Sequence, residues 1–346
     1  MEILDKKNIS EYEAFVNGHK NGIFHQSYNW TKVKSGWGSE IVVSRGSDGK
    51  IKGSMLVLIQ RLPVIGSSLL YAPHGPVCDY YDTETIKDLL DGAKLLAKRY
   101  RAYLLKVDPI IEENDIKAIE NFTSLGFSFK PNKKYGETIQ PRSNHMIDNL
   151  SGKTEQELLM SFTQKTRYNI RLAAKHGVEC RIMREDGIDD FYRLYQITSE
   201  RDNFGIRSKE YYRNMVKAFG EHCRLYLCYH EGKAISGALC IRFAGRTHYV
   251  FGASANEGRQ LMPNHLMQWE MIKWALEGGC HTYDFMGTPK PEDENSPMYG
   301  LYRFKSGFGG RNVTYAGEFD YVFNPLVNAI FNCCKAVSAK LNRHKN

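Results

Sequence analysis

Two stretches of the chain repeat the same alternation of apolar runs and polar turns. Residues 40–58 and 224–241 each contain an apolar run, an Asp-Gly or Glu-Gly pair, and a second apolar run. This pattern predicts a β-hairpin in each stretch. In the first copy the hairpin is followed by a predicted strand at 68–71, a helix at 83–99 and a short strand at 102–107. In the second copy it is followed by a strand at 247–254, a helix that ends at about 277 and a short strand at 281–285. The recurring order predicts two α/β domains of the same kind.

A polar, turn-rich segment, residues 131–151, separates the two copies. Thr154 and Glu157 follow with the spacing of a helix-capping box, which predicts a helix that Gly177 closes. Arg167, Arg171 and Lys175 are four residues apart and would share one face of this helix. The charge pattern alone favours a solvated basic face, and the alternative is a surface that contacts a phosphate backbone.

Length and charge narrow the class of protein. A chain of 346 residues exceeds one typical core and indicates two domains. The net charge of +8 favours polyanionic partners, although a merely basic protein fits the charge equally well. The charged start lacks an apolar signal region, and no stretch approaches the roughly 18 apolar residues of a membrane span. We therefore expect a cytoplasmic protein.

Familiar catalytic motifs do not occur in the sequence. It contains no phosphate-binding P-loop, no nucleophile elbow and no HExxH zinc motif. Its eight cysteines form no C-x-x-C pair and are interpreted as reduced packing residues. We therefore expect neither a metal nor a cofactor. Three segments are chemically unusual, because cations lie among aromatic residues or in an irregular charged stretch: 30–37, 200–207 and 301–308. Burying an uncompensated charge is costly, so such segments suggest an anionic partner.

With these segments in place, the chain resembles the Fem family of peptidoglycan bridge-forming aminoacyltransferases over nearly its whole length. The motifs that carry the resemblance are 71–76, 165–174, 201–207, 251–254, 262–264, 268–270, 283–287, 301–310 and 317–320. The resemblance implies an α/β (α+β) fold with two tandem acetyltransferase-like (GNAT) domains and mixed β-sheets. No sustained heptad pattern is present, so the chain looks like the compact type without a coiled-coil arm.

The resemblance also implies domain bounds and roles. Residues 1–148 together with 316–346 would form the first domain, which binds the acceptor precursor. Residues 149–315 would form the second, which contacts the donor and carries the catalytic groups. The implied donor is aminoacyl-tRNA, and the implied acceptor is UDP-MurNAc-pentapeptide or lipid II. The chain is expected to act as a monomer.

Site residues follow from the same resemblance, position by position. Lys34 and Arg207 fall where the precursor's phosphates bind, and Tyr211 and Tyr103 at further binding positions. A binding tyrosine is also expected within 249–251, where Tyr249 is present and Phe251 stands in place of a tyrosine. Three positions are implied to be catalytic: Lys305, facing the tRNA-borne ester as an oxyanion stabiliser, Phe304 and Asp108. Asp108 is either a proton acceptor or, as part of an Asp-Pro pair, a strand-ending turn. Arg167, Arg171 and Lys175 are the candidate tRNA contacts.

Two other functions stay open. One is an acyl-CoA-dependent N-acyltransferase on the same fold, which would need a glycine-rich pyrophosphate loop at a helix N-terminus. Residues 255–263 hold one glycine and a proline there, a poor cradle. The other is a non-catalytic nucleic-acid or membrane-binding protein. Residues 324–346 combine spaced apolar residues with four Lys or Arg side chains. They are interpreted as a helix packed on the first domain or as a peripheral contact with the anionic inner membrane face.

Overall fold

The computed structural model describes residues 1–63, 66–131 and 138–333. It divides the chain into two compact units. The first unit comprises Met1–Asn132 and Tyr315–Asn346, and the second comprises Lys133–Thr314. Each unit is built around one mixed β-sheet, as the sequence predicted.

The first unit contains an eight-stranded sheet in the order β1-β2-β3-β4-β6-β15-β7, with β5 paired to β3. Its strands are β1 Glu2–Ile3, β2 Gly38–Arg45, β3 Ile51–Leu62, β4 Ser67–Ala72, β5 Val77–Cys78, β6 Ala102–Val107, β7 Ser128–Pro131 and β15 Gly317–Val322. Its helices are α1 Ile9–Gly18, α2 Tyr28–Val33, α3 Thr83–Tyr100 and α4 Ile116–Ser124. Asp82 caps α3 by accepting the N–H of Thr85, and the apolar face of α3 packs into the core.

The second unit contains a seven-stranded sheet in the order β14-β8-β13-β12-β11-β10-β9. Its strands are β8 Ser143–Asp148, β9 Glu179–Met183, β10 Cys223–His230, β11 Lys233–Phe243, β12 Arg246–Ser254, β13 Thr282–Gly287 and β14 Arg311–Thr314. Its helices are α5 Glu155–Ser161, α6 Gln164–Lys175, α7 Ile188–Asp202, α8 Lys209–Phe219, α9 Pro263–Glu277 and α10 Tyr299–Ser306.

The predicted repeat is confirmed, and its two copies differ in how far their parallel strands pair. In both units the strand after the hairpin pairs in parallel with the strand after the helix, β4 with β6 and β12 with β13. The β4–β6 pairing runs to the end of both strands, at Ala72 and Val107. The β12–β13 pairing stops at His248 and Asp284. Residues 249–254 of β12 therefore separate from residues 285–287 of β13 and leave an opening in the second sheet.

The structure places the first division of the chain ahead of residue 148. Strand β8 pairs with β13 on one side and with β14 on the other, so residues 143–148 belong to the second sheet. The sequence of β8 is largely polar, so its pattern resembles that of a connecting segment. Strand β15, which begins at Gly317, lies between β6 and β7 of the first sheet.

The single helix predicted between Thr154 and Gly177 is wrong in one respect. The capping box of Thr154 and Glu157 is present and begins α5. The helix then stops, because Phe162 packs into the core and Thr163 takes an extended backbone with ψ at 152°. The side chain of Thr163 accepts the N–H of Thr166 and begins α6 as a new cap.

Three further observations concern binding. Among the described residues, none of the helices combines the length and the apolar character needed to cross a bilayer. Nowhere in the same residues do His, Cys, Asp and Glu side chains form a group that could hold a metal ion. Residues 325–333 form a helix that exposes Leu326 and Ile330. The basic residues from 335 onward lie outside the described residues, so the membrane contact stays a prediction.

Candidate active site

Lys305, on α10, projects into the opening between β12 and β13. Only 3% of this residue is exposed. Its Nζ donates to the carbonyl oxygens of Phe285, Met286 and Gly287 at 2.7, 3.2 and 2.6 Å. From the β12 side, the ring centroid of Tyr249 lies 6.0 Å from Nζ. The second sheet thus holds a buried lysine at the point where its two parallel strands part.

The charge of Lys305 is finely balanced. Burial lowers the pKa of Lys305 to about 7, and the carboxylate of Asp284 opposes this shift. An ammonium has three N–H donors, and three carbonyls surround it here, which also favours the charged form. To donate to a substrate oxyanion, Nζ must redirect one of these three hydrogen bonds. Near neutral pH the side chain can therefore exist in either protonation state.

Tyr249 and Phe251 point to different surroundings, although alternate residues of a regular strand share one face. An irregularity in the β11–β12 ladder explains this, since Cys240 pairs with Tyr249 and the adjacent Leu239 with Phe251. The bulge directs Tyr249 toward Lys305, and burial raises the pKa of Tyr249 to about 12. A Cβ at Gly252 would overlap the Tyr249 hydroxyl, so the glycine makes room for this ring.

A second group, near α8, contains Arg207, Tyr211 and Phe251. The guanidinium of Arg207 is exposed and lies 6.0 Å from the centroid of the Tyr211 ring, which in turn packs edge-on against Phe251. The backbone N–H of Arg207 donates to the hydroxyl of Tyr212 at 3.0 Å. The structure thus brings these three predicted binding residues together, with the cation directed to solvent on an aromatic support.

In the first unit, Lys34 follows α2 and is half-exposed, with its Nζ 5.3 Å from the centroid of the buried Trp30 ring. A cation supported by an aromatic ring at a surface suits a phosphate. Tyr103 is only 1% exposed, and its ring packs against Phe331 at 5.5 Å. The structure therefore gives Tyr103 a packing role, and the predicted precursor contact would require the helix at 325–333 to move.

Asp108, also in the first unit, is buried and already engaged. Its carboxylate accepts the hydroxyl of Tyr71 at 2.8 Å and the backbone N–H of His74 at 2.5 Å. These bonds fix the turn after β4, where His74 has a φ of 52°. Strand β6 ends at Val107, directly before the Asp108-Pro109 pair, so the position fits a strand-ending turn as well as a proton acceptor. Each carboxylate oxygen has two lone pairs, so Asp108 keeps acceptor capacity beyond these two hydrogen bonds.

The predicted tRNA contacts on α6 separate into two kinds. Arg171 and Lys175 are exposed. The Arg167 guanidinium instead donates to the carbonyls of Met160, at 3.2 Å, and Phe162, and so joins the end of α5 to α6. The exposed face also carries Tyr168, which is 57% exposed and which the charge pattern could not reveal. An exposed aromatic ring among cations suits bases as well as phosphates.

Phe304 is half-buried beside a histidine that sequence reasoning missed. Its ring packs edge-on against His265 of α9, with the centroids 5.1 Å apart. Burial lowers the pKa of His265 to about 4, so the imidazole is neutral at physiological pH. The His265 Nε2 atom lies 3.2 Å from the side-chain amide of Asn169 on α6. Phe304 therefore helps to fix α10, and with it Lys305, against α9.

Comparison with known proteins gives three consistent findings. The FemAB family model matches residues 8–234 and 228–336. A lipid II:glycine glycyltransferase of Staphylococcus haemolyticus is 32% identical over 94% of this chain and 95% of that protein. The alignment extends over 401 positions, which exceeds the 346 residues of this chain. The glycyltransferase therefore has residues without a counterpart here. A crystal structure of FemX superimposes with a TM-score of 0.87 at 31% identity, covering 95% of this chain and all of that one.

The fold prediction is confirmed by a more distant structure. A tandem GNAT protein from the clavulanic acid biosynthesis pathway superimposes with a TM-score of 0.56 at 12% identity. The superposition covers 93% of this chain and 96% of that protein. At this identity the likeness concerns the fold alone, two GNAT domains in tandem.

Proposed function

The chain belongs to the FemAB family, and from this premise we propose that it transfers an amino acid from aminoacyl-tRNA to the stem-peptide amine of a peptidoglycan precursor, forming an interpeptide bridge. The relatives' activity as lipid II:glycine glycyltransferases supports lipid II as the acceptor. The observation that carries the proposal is the buried Lys305 in the opening of the second sheet.

The proposed reaction requires few groups. The neutral amine attacks the ester carbonyl, and the developing oxyanion accepts an N–H from the Lys305 ammonium. The carbon–oxygen bond to the tRNA ribose then breaks, the ribose oxygen gains a proton, and the attacking nitrogen loses one. No covalent intermediate with the protein is needed, because orientation and charge stabilisation supply the catalysis. Asp108 stays the predicted proton acceptor.

An acyl-CoA donor fits the second unit poorly. A pyrophosphate at the start of α9 would need free backbone N–H groups. The first residue of α9, Pro263, has no N–H, and the N–H groups of Leu261, Met262 and His265 donate to nearby carbonyls. Few backbone N–H groups at the start of α9 are therefore free to bind a pyrophosphate, which argues against the acyltransferase alternative.

The proposal is tested with purified protein, charged tRNA pools, and both lipid II and UDP-MurNAc-pentapeptide. Mass spectrometry should show a precursor heavier by one or more aminoacyl residues, only when charged tRNA is present. Acetyl-CoA in place of tRNA is the control for the alternative function. Acetylated product, or unchanged precursor in every mixture, would reject the proposed activity.

Replacing Lys34 or Arg207 by Ala is expected to weaken binding of the diphosphate-linked precursor about 10-fold or more, because each removes a charge-assisted contact to phosphate. Binding of a stem peptide that lacks the nucleotide should change little. Isothermal titration with both ligands measures the difference, and Lys50→Ala is the control, since Lys50 is an exposed cation in the β2–β3 turn. Equal weakening of both ligands would contradict the phosphate assignment.

Replacing Arg171 and Lys175 together by Gln is expected to weaken tRNA binding and to lower the slope of log K against log salt by roughly 1.5, because fewer counterions are released. Filter binding across a salt series measures this slope. Lys233→Gln changes an exposed cation at the start of β11 and serves as the control. A double variant with the wild-type slope would return both side chains to the solvated-face interpretation.

A further inference from the structure

Asp284, on β13, is a buried carboxylate that the reaction proposed above does not use. It is 2% exposed. One carboxylate oxygen accepts the N–H of Met286 at 2.7 Å. The other accepts the side-chain amide of Asn144 at 3.1 Å and lies 3.4 Å from Nδ1 of His248. Burial acts to raise the pKa of Asp284, but His248 and the N–H of Met286 hold it below its usual value, so the group is ionised.

These bonds shape the backbone that surrounds Lys305. Asp284 pairs with Met146 of β8 and Gly287 with Asn144, so β13 has one residue more than β8 between these pairs. The resulting bulge contains Met286 at a φ of 59°, an unfavourable value for a residue with a side chain. The bond from the Met286 N–H to Asp284 stabilises that turn, as an Asx turn does. It is in this conformation that the carbonyls of 285, 286 and 287 all reach the lysine.

Asp284 also supplies charge. Among the described residues, the titratable groups near Lys305 include Asp284 on β13, His145 on β8 and Tyr249 on β12. Burial lowers the pKa of His145, and the neutral imidazole has its Nε2 2.7 Å from the Gly309 carbonyl. The carboxylate is thus the negative charge in this group, and it acts against the loss of the lysine's proton.

We propose that Asp284 is a positioning residue for the transfer reaction. It holds the end of β13 in the conformation in which three carbonyls surround the Lys305 Nζ, and it favours the charged form of that lysine. The proposal rests on the function proposed above for Lys305. Asp284 itself does not touch the substrate in this scheme. Asp284 is itself held by His248 of β12 and Asn144 of β8, so three strands fix the position of its carboxylate.

The test separates shape from charge. Asp284→Asn keeps an acceptor for the Met286 N–H but removes the charge, whereas Asp284→Ala removes both. In Asp284→Asn, the limb of the pH profile of kcat/KM that falls with rising pH should move to lower pH by on the order of one unit. Asp284→Ala should be impaired at every pH. The control is Asp148→Asn, a carboxylate on β8 that binds Thr282 and Arg311 instead.

A second measurement does not depend on transfer. The pKa of Lys305 is about 7 in the folded protein and about 10.4 in an unfolded chain. Between these pH values the unfolded chain binds more protons at this lysine, so the contribution of Lys305 to the free energy of unfolding rises with pH. The difference in unfolding free energy between the wild type and Lys305→Met isolates this contribution from the other titrating groups. In Asp284→Asn this rise should begin at lower pH, and Lys305→Met should lack it.

The outcomes are distinct. No transfer by the wild type would reject the proposed function while the unfolding series still tests the link between Asp284 and Lys305. An unchanged onset of the rise in Asp284→Asn would overturn the role of Asp284. A shifted onset with an unchanged pH profile of transfer would overturn it as well, because the charge on Lys305 would then not limit the reaction.

Discussion

Lys305→Met is expected to lower the rate of aminoacyl transfer about 10²–10³-fold, the usual cost of losing one oxyanion donor. Methionine has a stem of similar length and fills the same space, so the opening between β12 and β13 stays occupied. Affinity for the acceptor precursor should remain close to that of the wild type, since Lys34 and Arg207 are the proposed phosphate contacts.

Single-turnover transfer from charged tRNA measures the rate, and isothermal titration with the precursor measures acceptor binding. Lys233→Met is the matched control, because it removes an exposed lysine from the same unit. Circular dichroism establishes that each variant is folded. A rate near that of the wild type would remove Lys305 from the mechanism.

Gly310→Ala is expected to destabilise the second unit by about 3 kcal/mol, from overpacking together with backbone strain. Gly310 lies between α10 and β14 with a φ of 85°. A Cβ there would overlap the carbonyl oxygen of Met146 and lie 2.8 Å from its carbonyl carbon and 3.2 Å from Cα of Ile147. These are backbone atoms of β8, which β13 and β14 hold from both sides, so the contact has little room to relax.

Chemical denaturation measures the free energy of unfolding of this variant. The control is Gly300→Ala in α10, where an added Cβ meets nothing within 4 Å. An alanine in a helix is more favourable than a glycine by up to about 1 kcal/mol, so this control should be neutral or slightly stabilising. Similar stability of the two variants would contradict the close approach at Gly310.

Local patterns carried much of the fold. The Asp-Gly and Glu-Gly turns between apolar runs predicted both hairpins, and Thr154 with Glu157 predicted the start of α5. Such signals act within a few residues, so a single sequence reveals them. Strand β8 escaped detection because its polar residues become buried only when β13 and β14 pair beside it, and those strands lie more than 130 residues away in sequence.

The site divides in the same way. Cations among aromatic residues marked Lys305 before any contact was visible. The hydrogen-bond partners of Lys305 are backbone carbonyls, which cannot be predicted from the pattern of side chains. Asp284 was missed because its meaning depends on Asn144 and His248, which arrive from other strands. The different directions of Tyr249 and Phe251 follow from a bulge whose position depends on pairing with β11.

Because the β12–β13 pairing ends early, Lys305 also has a structural role in the second sheet. In an unbroken sheet, the carbonyls at the end of β13 would find donors on a neighbouring strand. Here β12 has separated from β13, and the N–H groups of one ammonium bind the carbonyls of 285, 286 and 287 instead. The lysine side chain thus supplies hydrogen-bond donors that a neighbouring strand would otherwise supply. In the proposed reaction, a hydrogen bond given to the oxyanion would leave one of these carbonyls without its donor. The proposed catalytic role and the structure of the sheet at this point would therefore depend on the same three N–H groups.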